Sequence, residues 1–385
     1  MHQQLKKYTQ LLVDEKCAKT KHIAICCQND AISISGPQEL ACIAHHILLQ
    51  LDCAAVIVAE PFHPFPEFLL HRTPSEESTL VPHDSESRVS LHDIPLIRRG
   101  SCQKELFNSV CDALKRRKGC IVEGIGIISH GALTLEQAYI AWSSLLHATT
   151  IKYFEDLLSI GPQLPEEHSF LLSYKTFYLK PLPVPDTTFF HKLPVLPLEI
   201  HTEMSLAGKA MVRLGLVDSF FGNSSYATDT TLYISQTSAR LDELDGQIDA
   251  VPFDGSSSTG ITASSELPAH NAIMKATGCK AILHGHPRFP VVMSFFATSG
   301  IHEGIDQIGK FPVVGGEGGT GGLAETLPRA FCLTGAKAVI VRGHGVFAIS
   351  SAGFGEAITE LIEVEEQCRK IYFSLLFEQY PALAV

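Results

Sequence analysis

The residues with the clearest capacity for chemistry are three histidines and one glutamate in the second half of the chain. His284-Gly285-His286-Pro287 sits at the end of an Ala/Ile/Leu-rich stretch that reads as a β-strand. Side chains two apart in a strand share a face, so both imidazoles point the same way. Gly285 leaves room on the opposite face, and Pro287 ends the ladder, placing the pair at a strand end. A catalytic cation site needs a third protein ligand and an open position. Arg342-Gly343-His344-Gly345, at the end of a second strand-like run, offers that ligand between two glycines that allow close backbone approach. Glu266, in Ser264-Ser265-Glu266-Leu267-Pro268, lies at a helix start with Ser264 or Ser265 as the expected N-cap. A helix-to-strand return brings it toward His284, where it could act as acid and base. A hydrolase-type His-x-His-x-Asp-His reading fails, because Pro287, Arg288 and Phe289 follow.

The elements that must position these groups form two similar halves. Cys279-Lys280-Ala281-Ile282-Leu283-His284 follows a helical pattern, as Cys53-Ala54-Ala55-Val56-Ile57-Val58 does. Likewise Val339-Ile340-Val341-Arg342-Gly343-His344 corresponds to Cys120-Ile121-Val122-Glu123-Gly124-Ile125, and each precedes a long helical pattern. The reading is an internal duplication of an α/β unit. Where the second copy has His284, His286 and His344, the first has Val58, Glu60 and Ile125, and two apolar side chains offer no lone pair to a cation. The first copy is therefore expected to be degenerate, serving structure or an interface. Pro183, Pro185, Pro194 and Pro197 mark residues 182–197 as an extended linker. The expected domains are 1–181 without metal ligands and 198–385 with them.

Composition bounds the rest. The 385 residues are 45% apolar and 18% charged, which suits a globular chain with two buried cores. A formal net charge of −11 argues against non-specific binding to nucleic acid or a membrane surface. No apolar h-region follows Met1 and no run reaches transmembrane length, so no leader or span is expected. The eleven cysteines are scattered without a Cys-x-x-Cys pair, which suits reduced thiols and a cytoplasmic location.

At the level of ordered motifs, the sequence resembles the class II aldolase/adducin family, which includes fuculose- and rhamnulose-phosphate aldolases and ribulose-phosphate 4-epimerase. The carriers are Gly222-Asn223-Ser224-Ser225, Ile234-Ser235-Gln236-Thr237-Ser238, Ser264-Ser265-Glu266, His284-Gly285-His286-Pro287 and Gly343-His344-Gly345. The resemblance implies two related α/β/α domains, each with a central, mainly antiparallel sheet flanked by helices. It implies Zn²⁺, or Mn²⁺, Co²⁺ or Fe²⁺, on the three imidazoles, with a sugar or sugar-phosphate substrate. It also implies a phosphate pocket of Asn223, Thr237, Ser238, Ser264 and Ser265, chemistry that short hydroxyls and helix N-terminal N–H groups can support. The family usually has Pro at Gln236 and Gly at Ser238, so a carboxylate substrate or one with no anion stays open.

The implied reaction is reversible retro-aldol cleavage of a small hydroxy-ketone, in which the cation stabilises the enediolate left by C–C scission. A 4-epimerase, a keto-sugar-acid decarboxylase and a dehydratase use the same logic, and a non-enzymatic adducin-like scaffold is the rival of another class. The glycine-rich Gly315–Gly322 segment is either a substrate loop or a plain connection. Family active sites lie between ring neighbours, so a homo-oligomer is expected, with the inert copy taking a neighbour's place.

Overall fold

The structure, a computed structural model, describes residues 2–100, 102–185, 187–189, 192–218, 220–256, 261–300, 302–316 and 322–383. The chain divides into two compact units, Met1–Ser169 and Phe170–Val385. The division falls ahead of residues 182–197. That proline-rich segment belongs to the second unit, where the Leu182 N–H donates to Glu366 Oε1 at 2.7 Å. None of the described helices is long and apolar enough to cross a membrane.

The first unit runs α1 (His2–Asp14), β1 (Ala18–Gln28), β2 (Ile32–Ser35), α2 (Gln38–Leu51), β3 (Ala55–Pro61), α3 (Phe65–Arg72), β4 (Thr79–Leu80), α4 (Ser85–Leu91), β5 (Ile94–Ile97), α5 (Gln103–Leu114), β6 (Gly119–Val122), β7 (Gly126–Gly131) and α6 (Leu135–Ile160). α7 (Pro165–Tyr178) carries the division. The second unit runs α8 (Pro197–Arg213), β8 (Asn223–Ala227), β9 (Thr231–Ser235), β10 (Ile248–Pro252), α9 (Leu267–Thr277), β11 (Ala281–Gly285), α10 (Arg288–Ser294), β12 (Thr298–Ser299), β13 (Asp306–Ile308), β14 (Phe311–Val314), α11 (Leu323–Thr334), β15 (Ala338–Val341), β16 (Gly345–Ser350) and α12 (Phe354–Gln379).

Each unit holds one sheet, ordered β2-β1-β3-β7-β6-β5-β4 in the first and β10-β9-β8-β11-β16-β15-β14-β13-β12 in the second. All neighbouring pairs are antiparallel except β5–β6 and β14–β15, which are parallel. Without its edge strands β10 and β12, the second sheet repeats the first strand for strand. The registers agree too. Val58 lies opposite Ile128 as His284 lies opposite Phe347, and Val122 pairs Gly126 as Val341 pairs Gly345. These registers put Val58 at the place of His284, Glu60 at that of His286 and Ile125 at that of His344. The helix ends also match, since Asp52 and Gly278 both close their helices in the left-handed region. Counting back from those caps puts Leu40 at the place of Glu266.

Helices cover both faces of each sheet. In the first unit Ile43 and Ile47 of α2 and Val110 and Leu114 of α5 pack with Cys26, Val56, Val58, Val122 and Ile128 of the sheet. α6 covers the other face, and its buried Trp142 donates Nε1–H to the Ile127 carbonyl at 3.2 Å. In the second unit Ala269 and Ile273 of α9 and Leu327 and Phe331 of α11 pack with Ile282, Val339, Val341 and Phe347. α12 covers the opposite face. Burial of such apolar stripes supplies the main drive for folding, at about 25 cal/mol per Å².

One carboxyl in this packing is titratable near neutrality. Glu365 of α12 is buried, which pushes it up to about 7, although Arg369 at 3.3 Å and the Phe289 N–H at 3.3 Å oppose the rise. Its folded value lies above the roughly 4.3 of an unfolded glutamate. The folded state therefore holds the extra proton, and stability falls as pH rises from about 4.3 through 7. Glu365→Gln stays neutral throughout. Its melting temperature relative to the parent should be higher at pH 8 than at pH 5, and an equal difference at both pH values would contradict the assignment.

Candidate metal centre

β11 is central in its sheet and buried along its whole length, which fixes where His284 can point. His286 follows at the next same-face position, just beyond the strand. His344 arrives from the turn between β15 and β16, closed by the His344 N–H donating to the Val341 carbonyl at 3.1 Å. All three side chains are buried, and their ligand nitrogens lie within 4.8 Å of one another. Among the described residues this is the one group of three or more potential ligands so placed. The structure thus brings together the three histidines that the sequence singles out.

Glu266 completes the group. Its Oε1 lies 3.0 Å from His344 Nε2, and its Oε2 lies 3.4 Å from His284 Nε2 and 2.8 Å from Asn223 Nδ2. Burial alone would raise this carboxyl. His284, His344 and the Asn223 amide outweigh burial and hold it well below the usual carboxylate range. Glu266 is itself the N-cap residue of α9, without a side-chain cap bond. Neither Ser264 nor Ser265 holds that position. Ser264 Oγ accepts the Glu266 N–H at 3.3 Å instead. The carboxylate is therefore free to turn into the histidine cluster, and Pro268, at the second helical position, costs no intrahelical bond.

The tautomer of His284 follows from its partner. Nδ1 lies 3.1 Å from the Val346 carbonyl oxygen, which can only accept. Nδ1 therefore carries the proton, and the Nε2 lone pair faces His286 Nε2 at 2.9 Å. The His284 ring is held flat between Phe347, with centroids 4.0 Å apart, and His344, 5.0 Å apart, both at 15°. Three imidazoles with a carboxylate beside them, buried and with one lone pair already aimed inward, suit Zn²⁺ and other first-row divalent ions. The donors present fit such a cation.

Two glycines make the convergence possible. A Cβ at Gly345 would lie 2.5 Å from the Gly285 carbonyl and 2.9 Å from His284 Cε1. A Cβ at Gly285 would lie 2.6 Å from the Leu216 carbonyl. No larger residue fits either place without moving backbone.

The hydroxyl-bearing residues gather beside Glu266. An isolated bridge joins Gln236 to Ala263, and Thr237 donates its N–H to the Thr262 carbonyl at 3.0 Å and its Oγ1–H to the Ala263 carbonyl at 2.9 Å. Behind them the Asp249 carboxylate accepts from Gln236 Nε2 at 2.8 Å and Thr262 Oγ1 at 2.6 Å. Thr237, Ser238 and Ser265 are exposed, and Ser264 is buried. Ser238 has φ of 62°, the left-handed region that favours glycine. Asn223 does not face outward with this group, because its amide is committed to Glu266. In the glycine-rich segment, residues 317–321 lie outside the described residues. The Val346 carbonyl and Phe347, which set the His284 ring, carry no signal that sequence reasoning could use, since one is backbone and the other reads as core.

Residues 202–372 match the family model described as Class II Aldolase and Adducin N-terminal domain. Comparison with curated proteins gives no match. Among solved structures, L-fuculose-1-phosphate aldolase from Thermus thermophilus is 22% identical, with 47% of this chain and 96% of that chain covered and a TM-score of 0.39. YgbL of Klebsiella pneumoniae, a putative aldolase/epimerase/decarboxylase, is 24% identical over 47% of this chain and 91% of its own, with a TM-score of 0.37. The N-terminal class II aldolase domain of a conserved protein from Thermoplasma acidophilum is 12% identical over 48% of this chain and 99% of that chain, with a TM-score of 0.33.

The close approach at Gly345 is open to a direct test. Gly345→Ala should destabilise the protein by about 1–3 kcal/mol through overpacking, read as a lowered melting temperature. Melting unchanged from the parent would show that the contact of Gly345 with Gly285 and His284 is looser than described.

Proposed function

We propose, from the match of residues 202–372 to the class II aldolase and adducin family model, that the chain is a divalent-metal-dependent lyase catalysing reversible retro-aldol cleavage of a small hydroxy-ketone. The observation that carries the reading is the buried Glu266 carboxylate lying against His284 and His344, with three imidazole nitrogens converging beside it. His284, His286 and His344 would hold the cation, Zn²⁺ or another divalent ion such as Mn²⁺, Co²⁺ or Fe²⁺. When bound, such an ion supplies Lewis-acid polarisation of a carbonyl oxygen and orients a neighbouring hydroxyl.

The protein's own groups do the rest. The Val346 carbonyl fixes the His284 tautomer, and Phe347 fixes its ring plane. Glu266 enters the reaction ionised, because its neighbours hold its pKa down. In the condensation direction it takes the proton from the carbon α to the carbonyl. The C–H electron pair passes into an enediolate, which forms the C–C bond to an aldehyde carbon, and the aldehyde oxygen takes a proton from solvent. In cleavage the substrate hydroxyl gives its proton to solvent and the C–C pair returns to the enediolate. Glu266 takes a proton from solvent, delivers it to that carbon and returns to the ionised form with which it began. The Asn223 amide stays on Glu266 Oε2 and orients it. Thr237, Ser238, Ser264 and Ser265 flank the site and would contact the polar or anionic end of a sugar or sugar-phosphate.

A 4-epimerase, a decarboxylase of a keto-sugar acid and a dehydratase would use the same base and the same enediolate, so the substrate decides among them. A non-enzymatic scaffold is disfavoured for the second unit by the retention of all three imidazoles and Glu266. In the first unit Val58 and Ile125 fill the equivalent places with apolar packing, and Glu60 pairs with Lys19 and His22 instead. That unit is read as an inert copy. A homo-oligomer and a cytoplasmic location belong to the same proposal.

Metal analysis of the purified protein should find about one divalent ion per chain, lost in His284→Ala. Glu266→Gln should keep the ion but lose about 10²–10⁴-fold in turnover on the active member of a panel of free and phosphorylated ketoses and sugar acids. A protein without bound or bindable divalent metal, or a Glu266→Gln variant with full turnover, would rule the mechanism out.

A further inference from the structure

We propose that Ser294 is a positioning residue of the metal centre, its hydroxyl tying the helix that follows His286 to the turn that presents His344. The assignment rests on the metal-binding reading above. α10 begins two residues after His286 and ends on Ser294, which is fully buried. Ser294 Oγ–H donates to the Val291 carbonyl at 2.6 Å, which orients the hydroxyl. The same oxygen accepts the Gly343 N–H at 2.8 Å. The Ser294 carbonyl accepts Arg342 Nη1 at 2.6 Å. Both groups of Ser294 thus grip the two residues that lead into His344.

One hydroxyl matters because of where the three N–H groups of this turn go. Arg342 donates its N–H to the Val314 carbonyl at 2.9 Å, and His344 donates its N–H to the Val341 carbonyl at 3.1 Å. The Gly343 N–H alone among the three takes a side-chain acceptor, Ser294 Oγ. Removing that oxygen leaves a buried donor whose relief is a shift of the turn. His344 is the next residue, and its ring reaches both Glu266 and the His284 face. A displacement of a few tenths of an ångström moves a ligand nitrogen by a comparable amount, which metal coordination registers strongly.

The first unit contains the same turn with a different acceptor. There Glu123 donates to the Ile97 carbonyl and Ile125 to the Val122 carbonyl, both at 3.0 Å. The Gly124 N–H is taken by the Glu67 carboxylate at 3.2 and 3.3 Å. Glu67 comes from the first turn of α3, whereas Ser294 ends α10. The fold accepts either solution. In the ligand-bearing copy the acceptor is neutral and small, so no second carboxylate is placed beside His344.

The test is Co²⁺ and Zn²⁺ affinity by chelator competition, together with the Co²⁺ d–d spectrum, on the full chain. Ser294→Ala should bind either ion about 10- to 100-fold more weakly and show an altered cobalt spectrum. Glu67→Ala, which opens the equivalent turn in the first unit, should bind like the parent. If Ser294→Ala fails to fold, Ser294→Cys keeps the size with a poorer acceptor and should show a loss in the same direction. Affinity and spectrum of the serine variants matching the parent would overturn the assignment, as would an equal loss in Glu67→Ala. A parent that took up neither ion would overturn the metal reading and this assignment with it, whereas the other failures leave that reading standing.

Discussion

A carboxylate buried among three imidazoles is the constraint from which the second unit's local architecture follows. Glu266 is 5% exposed, and His284, His286 and His344 are 1–2% exposed. An isolated charge so placed costs several kcal/mol, and only close, well-directed partners offset that cost. The structure provides them from four separate pieces of chain: β8 through Asn223, the N-terminus of α9 through Glu266 itself, β11 through His284, and the β15–β16 turn through His344. Each piece has to arrive within a fraction of an ångström. The glycines at 285 and 345, the α9 start without a side-chain cap and the buried hydroxyl of Ser294 all answer to that demand.

The first unit acts as an internal control for what the fold itself requires. It has the same strand order, the same parallel pair and the same registers, yet Ala24, Val58 and Ile125 stand where Asn223, His284 and His344 stand. Those three side chains are buried. Replacing a buried ionic cluster with apolar residues of suitable volume is often neutral or stabilising. The duplicated sheet therefore does not need the histidines in order to fold, and their presence in one copy points to chemistry, not to stability. The same comparison accounts for Glu60, which takes the place of His286 and, half-buried, pairs with Lys19 and His22.

Much of this was legible in the sequence because the signals are periodic or paired. The same-face rule for strands predicts His284 with His286, and the repeated Val/Ile run before a glycine predicts His344 and its replacement by Ile125. The duplication extends to strand registers, and these agree with the matching of Val58, Glu60 and Ile125 to the three histidines. A helix start is weakly marked by sequence, whereas the left-handed caps at Asp52 and Gly278 fix the helix ends. The orientation of Asn223 was not legible, since an amide beside a glycine turn reads equally well as an anion donor. Nor was the division at Ser169/Phe170, because prolines mark extended chain and not the unit with which that chain packs.

The hydroxyl cluster beside Glu266 shows how prior commitments narrow the chemistry a site can offer. Thr237 spends its hydroxyl proton on the Ala263 carbonyl, Ser264 Oγ is the acceptor for the Glu266 N–H, and Asn223 gives its amide to Glu266. Ser238 and Ser265, like Thr237, are exposed, and neither hydroxyl carries such a commitment among the described residues. Asp249 stands behind, held by Gln236 and Thr262, so a negative charge backs the loop. Under the function proposed above, an anionic substrate group approaching here would meet few side-chain donors and the Asp249 carboxylate, and its attraction would have to come from backbone N–H groups and from a cation on the three imidazoles. A glycine at Ser238, as the family usually has, would adopt the 62° φ without strain and open more backbone to a ligand. With serine there instead, the loop holds a side-chain-bearing residue in the left-handed region and presents the exposed hydroxyls of Ser238 and Ser265.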